Sequence, residues 1–284
     1  MSGRERFIRS DGDNPLTTDE LRANIPAIFA ETKHFTRSER YVEIPTIDAI
    51  EALQKEGFYV VEACQANPRD HSRFGKCKHA IRLRHPGGTG PRRIGGAAYF
   101  ETLLRNAFDG TAAFVFSAGM FRWTCLNGAV VADNMVAAVH VHHSGNKQRV
   151  LDQVIEGVYK VVEQAPKVIE AVNCWSQLEL NDGERREFAA RAHKIRFGQQ
   201  DTPVKPEHLL AHRRLGDEHR DLWTTFNVVQ ENCIRGGLAA PRANRRGSII
   251  HRTTREIRGI DQNAQVNKDL WAAASDIARL KQAA

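Results

Sequence analysis

Residues 136–158, Val136-Ala137-Ala138-Val139-His140-Val141-His142-His143-Ser144-Gly145-Asn146-Lys147-Gln148-Arg149-Val150-Leu151-Asp152-Gln153-Val154-Ile155-Glu156-Gly157-Val158, change their periodicity midway. Val136–His143 is the last of a set of extended segments. From Lys147 onward, Val150, Leu151, Val154, Ile155, Val158, Val161 and Val162 fall on one helical stripe, which Pro166 ends. Strands come first and helices afterwards. The expected fold is therefore α+β, with a mostly antiparallel sheet in the N-terminal half and a helical C-terminal half, and not a series of alternating βαβ units.

Upstream of the switch, Phe58–Cys64 is a buried run and His79–Arg84 alternates apolar with basic residues. Tyr99–Phe108 and Thr111–Phe116 flank Asp109-Gly110, a dipeptide favoured in tight hairpins. Met120–Val131 reads as a strand or as a short helix around Asn127-Gly128. Thr46 is the expected N-cap of a helix that carries Ile47, Ile50 and Leu53 and stops at Gly57. Downstream, helices are expected over 167–177, 183–197 and 261–281, with one or two more between Glu207 and Arg235. Residues 1–40 read as a loosely ordered arm, and 41–284 as one α+β domain, sheet-rich over 41–145 and helical over 146–284.

The chain has 284 residues, a net charge of +7 and 26% charged residues, ordinary values for a folded protein. Its apolar runs fall short of a membrane span and the first twenty residues lack a signal-peptide core, so no membrane partner is expected. Five scattered cysteines without a C-x-x-C pair argue against a disulfide framework and make a reducing cytoplasm the expected compartment.

The charge is unevenly distributed. Arg69, Arg73, Lys76, Lys78, Arg82, Arg84, Arg92 and Arg93 face only Asp70 within residues 69–93. Arg235, Arg242, Arg245, Arg246, Arg252, Arg255 and Arg258 face only Glu256 within 235–258. Two short segments hold more than the whole net charge, and the remainder is mildly acidic. Dense arginine suits a polyanion, since its planar fork binds phosphate and stacks on bases. These residues, with the amides Asn227 and Gln230, are the expected nucleic-acid-binding set. In the 79–85 strand, period-2 alternation puts Ala80, Arg82 and Arg84 on one face, which we expect to be an exposed, backbone-tracking surface.

No catalytic set emerges. His140 and His142 share a strand face and are weak metal candidates, but the chain has no H-E-x-x-H, and neither an H-x-x-x-H nor paired carboxylates stand near them. Gly87-Gly88-Thr89-Gly90 lacks the Lys-Ser/Thr of a phosphate loop. No cofactor is expected. The expected partner is nucleic acid, DNA ahead of RNA and single strands included, with homo-oligomerisation left open. A metal-dependent enzyme acting on nucleic acid, or a protein engaging an acidic partner, are the alternatives.

The segment Leu222-Trp223, Asn227, Gln230-Glu231-Asn232 and Gly236-Gly237 is followed by Thr254-Arg255, Gly259-Ile260-Asp261, Asn267 and Leu270-Trp271. Upstream stand Ile44-Pro45-Thr46, His79, Arg82, Arg84-His85, Asp109-Gly110-Thr111, Gly119-Met120-Phe121-Arg122, Cys125 and Asn127-Gly128. Over roughly 40–275 this order of motifs resembles the phage- and plasmid-associated family called domain of unknown function 932. The resemblance implies a mobile-element protein, with roles in recombination, annealing or element maintenance, and no defined activity. It also implies His before the Asp-Gly and Ser before the Asn-Gly. This chain has Phe108 and Leu126 there, so a catalytic scheme built on that His does not transfer.

Overall fold

The computed structural model describes residues 6–11, 14–93, 96–122, 128–130, 139–141, 146–199, 202–243 and 249–283. Strands β1 (Arg6–Arg9), β2 (Tyr59–Gln65), β3 (His79–Arg93), β4 (Gly96–Asn106), β5 (Phe114–Arg122) and β6 (Gly128–Val130) are neighbours in that order. A seventh, β7 (Val139–Val141), also pairs with β5. The β1/β2, β2/β3 and β5/β7 pairs are antiparallel. Helices α1 (Thr18–Asn24) and α2 (Thr46–Lys55) lie in the N-terminal half. The C-terminal half holds α3 (Lys147–Glu163), α4 (Ala165–Trp175), α5 (Asp182–Phe197), α6 (Leu222–Arg235) and α7 (Ile260–Gln282). The α+β order read from the sequence is the order observed.

The chain forms two compact units, residues 1–89, 100–119 and 133–166 in the first and 90–99, 120–132 and 167–284 in the second. In the first unit the stretch expected as a loose arm is instead packed. Arg6–Arg9 pairs with β2, and Leu16, Leu21, Ile25 and Ile28 are buried. Its apolar residues are spaced among charges, so they give no periodic signal, yet these four reach the core while Phe7 and Phe35 stay exposed. Thr17 caps α1 through a box with Glu20, each side chain bonding the other's backbone N–H. Thr46 does not cap α2. It is the first helical residue, and its hydroxyl meets His79 Nε2 at 2.8 Å and accepts from Asn106 Nδ2 at 2.9 Å.

The main correction concerns the basic face of β3. Arg82 and Arg84 are only 3% and 2% exposed, and both faces of the 80–84 stretch are interior. Arg82 sits at 2.5 Å from Glu101 Oε2 and 3.2 Å from Glu62 Oε2, and Arg84 donates through Nε to Glu101 Oε1 at 2.8 Å. Arg9 approaches Glu62 at 3.6 Å. Strand pairing produces this array, because Arg9 is opposite Glu62 and Glu62 is opposite Arg82. Charges of alternating sign thus cross four neighbouring strands, Arg9 on β1, Glu62 on β2, Arg82 on β3 and Glu101 on β4. Burial pushes the Glu62 carboxyl above its usual range, although Arg82 and Arg9 oppose the shift.

The second unit is built around α5, α6 and α7, which pack on one another. Asn181 and Glu184 form the capping box of α5; of Phe188, Ala189, Ala192 and Ile195, which its spacing turns inward, the first three are buried and Ile195 is half-buried. The whole of Leu222–Ile234 is buried, so α6 has no solvent-facing margin. Its aromatic residues stack in the core, Trp223 on Phe226 at 5.7 Å with rings nearly parallel, and Trp271 edge-on to Phe226.

Replacing Glu101 by Gln leaves the Arg84 guanidinium buried without its carboxylate and Arg82 with Glu62 alone. Such uncompensated charge costs about 3–5 kcal/mol. We expect thermal and urea melts of Glu101→Gln to show that loss. Replacing Arg82, Arg84 and Glu101 together by Met, Met and Leu should restore much of it. A Glu101→Gln protein of parental stability would contradict this account of the sheet.

Candidate functional site

Of the first basic segment, little lies free at the surface. Arg69 is exposed, whereas Arg73 pairs with Asp70 at 3.4 Å and with buried Asp109 at 3.7 Å. Lys76 donates to Thr32 Oγ1 at 3.1 Å and to the Lys33 carbonyl at 2.9 Å, and Lys78 is half-buried. Arg82 and Arg84 are interior. Arg92 and Arg93 lie in β3, but their side chains are outside the described ones.

Asn227 and Gln230 are also removed from any surface, at 3% and 0% exposed. Asn227 Nδ2 donates to the Trp223 carbonyl at 2.6 Å, and Gln230 Nε2 donates to Asn267 Oδ1 on α7 at 2.7 Å. These amides hold helices together. Base contacts were expected of them because the apolar stripe of α6 left them at its edge. Tertiary packing covers that edge.

The second basic segment is built differently. At the end of α6, Gly236 (φ +65°) and Gly237 (φ +78°) turn the chain. Residues 237–243 then run antiparallel to 249–254. Gly237 N–H donates to the Thr254 carbonyl, Thr254 N–H to Leu238 and Ala240 N–H to Arg252. Ala239 bridges Thr253, and β8 (Arg242–Ala243) pairs with β9 (Ile249–Ile250), with Arg242 opposite Ile250. The described parts of this arginine-rich segment thus form a two-stranded ribbon. Residues 237–255 contain Arg242, Arg245, Arg246, Arg252 and Arg255, the imidazole of His251, and no acidic residue.

Arg252, Arg255, Arg258, His251, Ile249 and Ile250 are all exposed. Arg258 is partly neutralised by Glu256 at 3.2 Å. Beside the ribbon, Ala239, Pro241, His251, Arg252, Thr253 and Arg255 line an open depression of about 690 Å³. The side chain of Arg242 is outside the described ones, and Arg245 and Arg246 lie outside the described residues.

Two arginines that sequence reasoning did not single out fasten this ribbon to the core. Arg196 donates to the carbonyls of Cys233 and Arg255, both at 2.7 Å, tying the last turn of α6 to the returning strand. Arg213 donates through Nε to Asn232 Oδ1 at 2.9 Å and through Nη2 to the Gly236 carbonyl. Both place positive charge on carbonyls at a helix C-terminus, where the dipole favours it. For Arg196 the sequence signal was negative, since no acidic residue stands at helical spacing to occupy it, whereas Arg213 has Asp217 four residues on and nothing in the sequence singles it out.

The electrostatics at the ribbon's root are settled internally. Glu231, 2% exposed, receives Arg214 at 2.6 and 2.7 Å and Arg235 at 2.7 Å. Burial alone would raise its carboxyl, but those hydrogen bonds hold it below the usual carboxylate range. Arg235 therefore serves Glu231, as its i, i+4 spacing indicated. Burial pushes the Cys233 thiol up to about 12, which leaves it inert as a nucleophile.

Among the described residues no catalytic set is assembled. His140 is exposed on β7, and His142 lies outside the described residues. No group of three His, Cys, Asp or Glu among the described residues could hold a metal ion. Asp70, Ser72 and His34 form a chain of contacts that resembles a nucleophile relay. The Ser72 hydroxyl, however, donates to Asp70 Oδ1 at 2.7 Å, and it meets His34 Nε2 at 3.1 Å. With its proton on the aspartate, Ser72 is an acceptor for that imidazole and is not activated by it. No helix among the described residues is long and apolar enough to cross a membrane.

Comparison with known proteins gives a family and no activity. The chain is 40% identical over 275 residues to "UPF0380 protein YfjQ" of Escherichia coli (strain K12), covering 97% of this chain and 95% of that protein. It is also 40% identical over 272 residues to "UPF0380 protein YafZ" of the same organism, covering 96% of this chain and 94% of that protein. No solved structure matches. The sequence profile described as "Domain of unknown function (DUF932)" matches residues 33–271. With that match over most of its length, the chain belongs to the DUF932 family.

Proposed function

We propose that this chain is a non-enzymatic nucleic-acid-binding protein whose principal contact is the basic segment 237–255, carried on the ribbon of residues 237–243 and 249–254. The observation that carries the reading is the ribbon itself, with five arginines and no carboxylate in its sequence, rooted in a buried helix. A two-stranded ribbon is narrow enough to follow or enter a groove. Its exposed Arg252 and Arg255 supply bidentate donors for phosphate oxygens. DNA is the partner we propose first, with strand annealing, recombination or mobile-element maintenance as the role. Asn227, Gln230, Arg82 and Arg84 have no part in the contact, because each is occupied in the interior.

Affinity for a labelled single-stranded oligonucleotide should fall with salt. If the ribbon's five arginines each neutralise one phosphate, log K against log salt has a slope of about −3.5. Replacing Arg252 and Arg255 together by Ala should weaken binding and make the slope shallower by about 1.4. Salt-independent binding, or an unchanged slope in that variant, contradicts the reading. Cleavage products on incubation with Mg²⁺, Mn²⁺ or Zn²⁺ would contradict its non-enzymatic part.

A second variant moves the ribbon without altering its charge. A Cβ on Gly236 would stand 2.6 Å from the Thr254 carbonyl oxygen and 2.8 Å from the Arg255 carbonyl carbon, both backbone. The positive φ alone costs a non-glycine residue about 1–2 kcal/mol. Gly236→Ala should therefore melt at a lower temperature and bind the oligonucleotide more weakly at constant net charge. Parental affinity in this variant would show that the ribbon's seat is irrelevant to binding.

A further inference from the structure

We infer that a second contact for single-stranded nucleic acid lies in the first unit, where the Phe35 ring offers a stacking platform for one unpaired base. Phe35 is 80% exposed, and it occupies a turn held from several sides. The preceding residue, His34, is 1% exposed, with Nδ1 2.9 Å from Thr36 Oγ1 and Nε2 3.1 Å from Ser72 Oγ. Its N–H donates to the Phe108 carbonyl, and its carbonyl accepts from Arg37 N–H. Lys33 Nζ closes the loop on the carbonyls of Glu39 and Tyr41, and Lys76 Nζ ties Thr32 and Lys33 to the neighbouring segment.

On this rigid seat the Phe35 ring lies against His34, centroids 4.2 Å apart, and the rest of it is open to solvent. A pre-organised, exposed aromatic face is the element with which single-strand binders hold bases, whatever their sequence. The surroundings match a polyanion. Residues 32–43, 69–78 and 106–111, joined by the contacts above and by Arg73–Asp109, carry seven cations (Lys33, Arg37, Arg40, Arg69, Arg73, Lys76 and Lys78) against Glu39, Glu43, Asp70 and Asp109, with Lys33 paired to Glu43 at 3.7 Å and Arg73 to both aspartates. Phe74, 40% exposed in the same group of segments, has the Arg6 guanidinium 4.8 Å from its ring centre. Charge of this sign beside an exposed ring selects a strand with phosphates and free bases over an acidic or apolar protein face.

The test compares a labelled oligo(dT) with an abasic oligomer of equal length, which keeps the phosphates and lacks the bases. Phe35→Ala in the full chain should weaken oligo(dT) binding roughly 5- to 150-fold, the range for loss of one base–aromatic stack. It should leave the abasic oligomer unaffected and the melting curve unchanged. Phe35→Trp should retain affinity, and its added emission, taken against the parent protein, should be quenched by oligo(dT). Equal losses for the two oligomers, or none for oligo(dT), overturn the proposal. So does unquenched Phe35→Trp emission together with concentration-dependent sedimentation, which would assign the ring to a contact between copies. The Arg252→Ala/Arg255→Ala variant separates the two sites, because the ribbon contact predicts equal losses for both oligomers. If that variant binds normally while Phe35→Ala does not, the ribbon reading fails and this one stands. A parent chain that binds neither oligomer overturns both.

Discussion

A carboxylate taken out of water into a protein interior loses several kcal/mol of hydration, and only close, well-directed cations can return it. Both units of this chain are organised by that constraint. In the first, Glu101 is fully buried on β4 and draws Arg82 and Arg84 inward. In the second, Glu231 is buried on α6 and draws Arg214 and Arg235. Each carboxylate meets two guanidinium groups, so each cluster fixes strand register or helix orientation as firmly as it fixes charge. Asp109, 3% exposed, repeats the theme on a smaller scale with Arg73 and with the Thr111 hydroxyl at 2.5 Å.

This constraint explains which parts of the structure were legible in the sequence. Helical stripes with capping and stop signals located α3, α5 and α7 closely, because their periodicity is set within the element. Asp109-Gly110 does lie between two neighbouring strands, with Gly110 at φ +77°, but β4 ends at Asn106 and β5 begins at Phe114, so the connection is longer than the tight hairpin expected. Charge was not local. Within residues 69–93 the eight cations face one aspartate, yet Arg82 is neutralised by Glu62 and Glu101, and Arg73 by Asp109, all outside that window. A sliding count of charge finds a basic segment wherever the partners are distant in sequence. Arg82 and Arg84 alternate with apolar residues as they would on a half-exposed strand. Only the register opposite Glu62 and the nearness of Glu101 show that their face is interior.

The amides of α6 were misread for a related reason. A stripe of Leu222, Phe226, Val229 and Cys233 suggests one covered face, but all of Leu222–Ile234 is buried. A helix buried on every side must satisfy its polar side chains inside the protein. Asn232 therefore donates to the carbonyls of Leu209 and Ala211, Gln230 to Asn267, and Asp221 accepts from Thr224. The polar residues that looked like a recognition edge are what binds the surrounding segments to the helix. The ribbon after α6 escaped the strand search because β8 and β9 are two residues each, too short for alternation to register.

Placement of the ribbon after this helix has a physical logic. An arginine-rich segment repels itself, and it keeps a defined shape only if its backbone is anchored where its charges are not consumed. The root supplies that anchor with other groups. Arg196 and Arg213 hold the carbonyls of Cys233, Gly236 and Arg255, while Glu231 is already saturated by Arg214 and Arg235. Among the described residues Glu256, which follows Arg255, pairs with Arg258, and the backbones of Arg252 and Arg255 complete the ribbon. The same division holds at the Phe35 turn, where His34, Lys33 and Lys76 provide the fastening and the ring is left outward. In both places the groups that build the fold are distinct from the groups presented to solvent, so those presented can be replaced without undoing the structure that carries them.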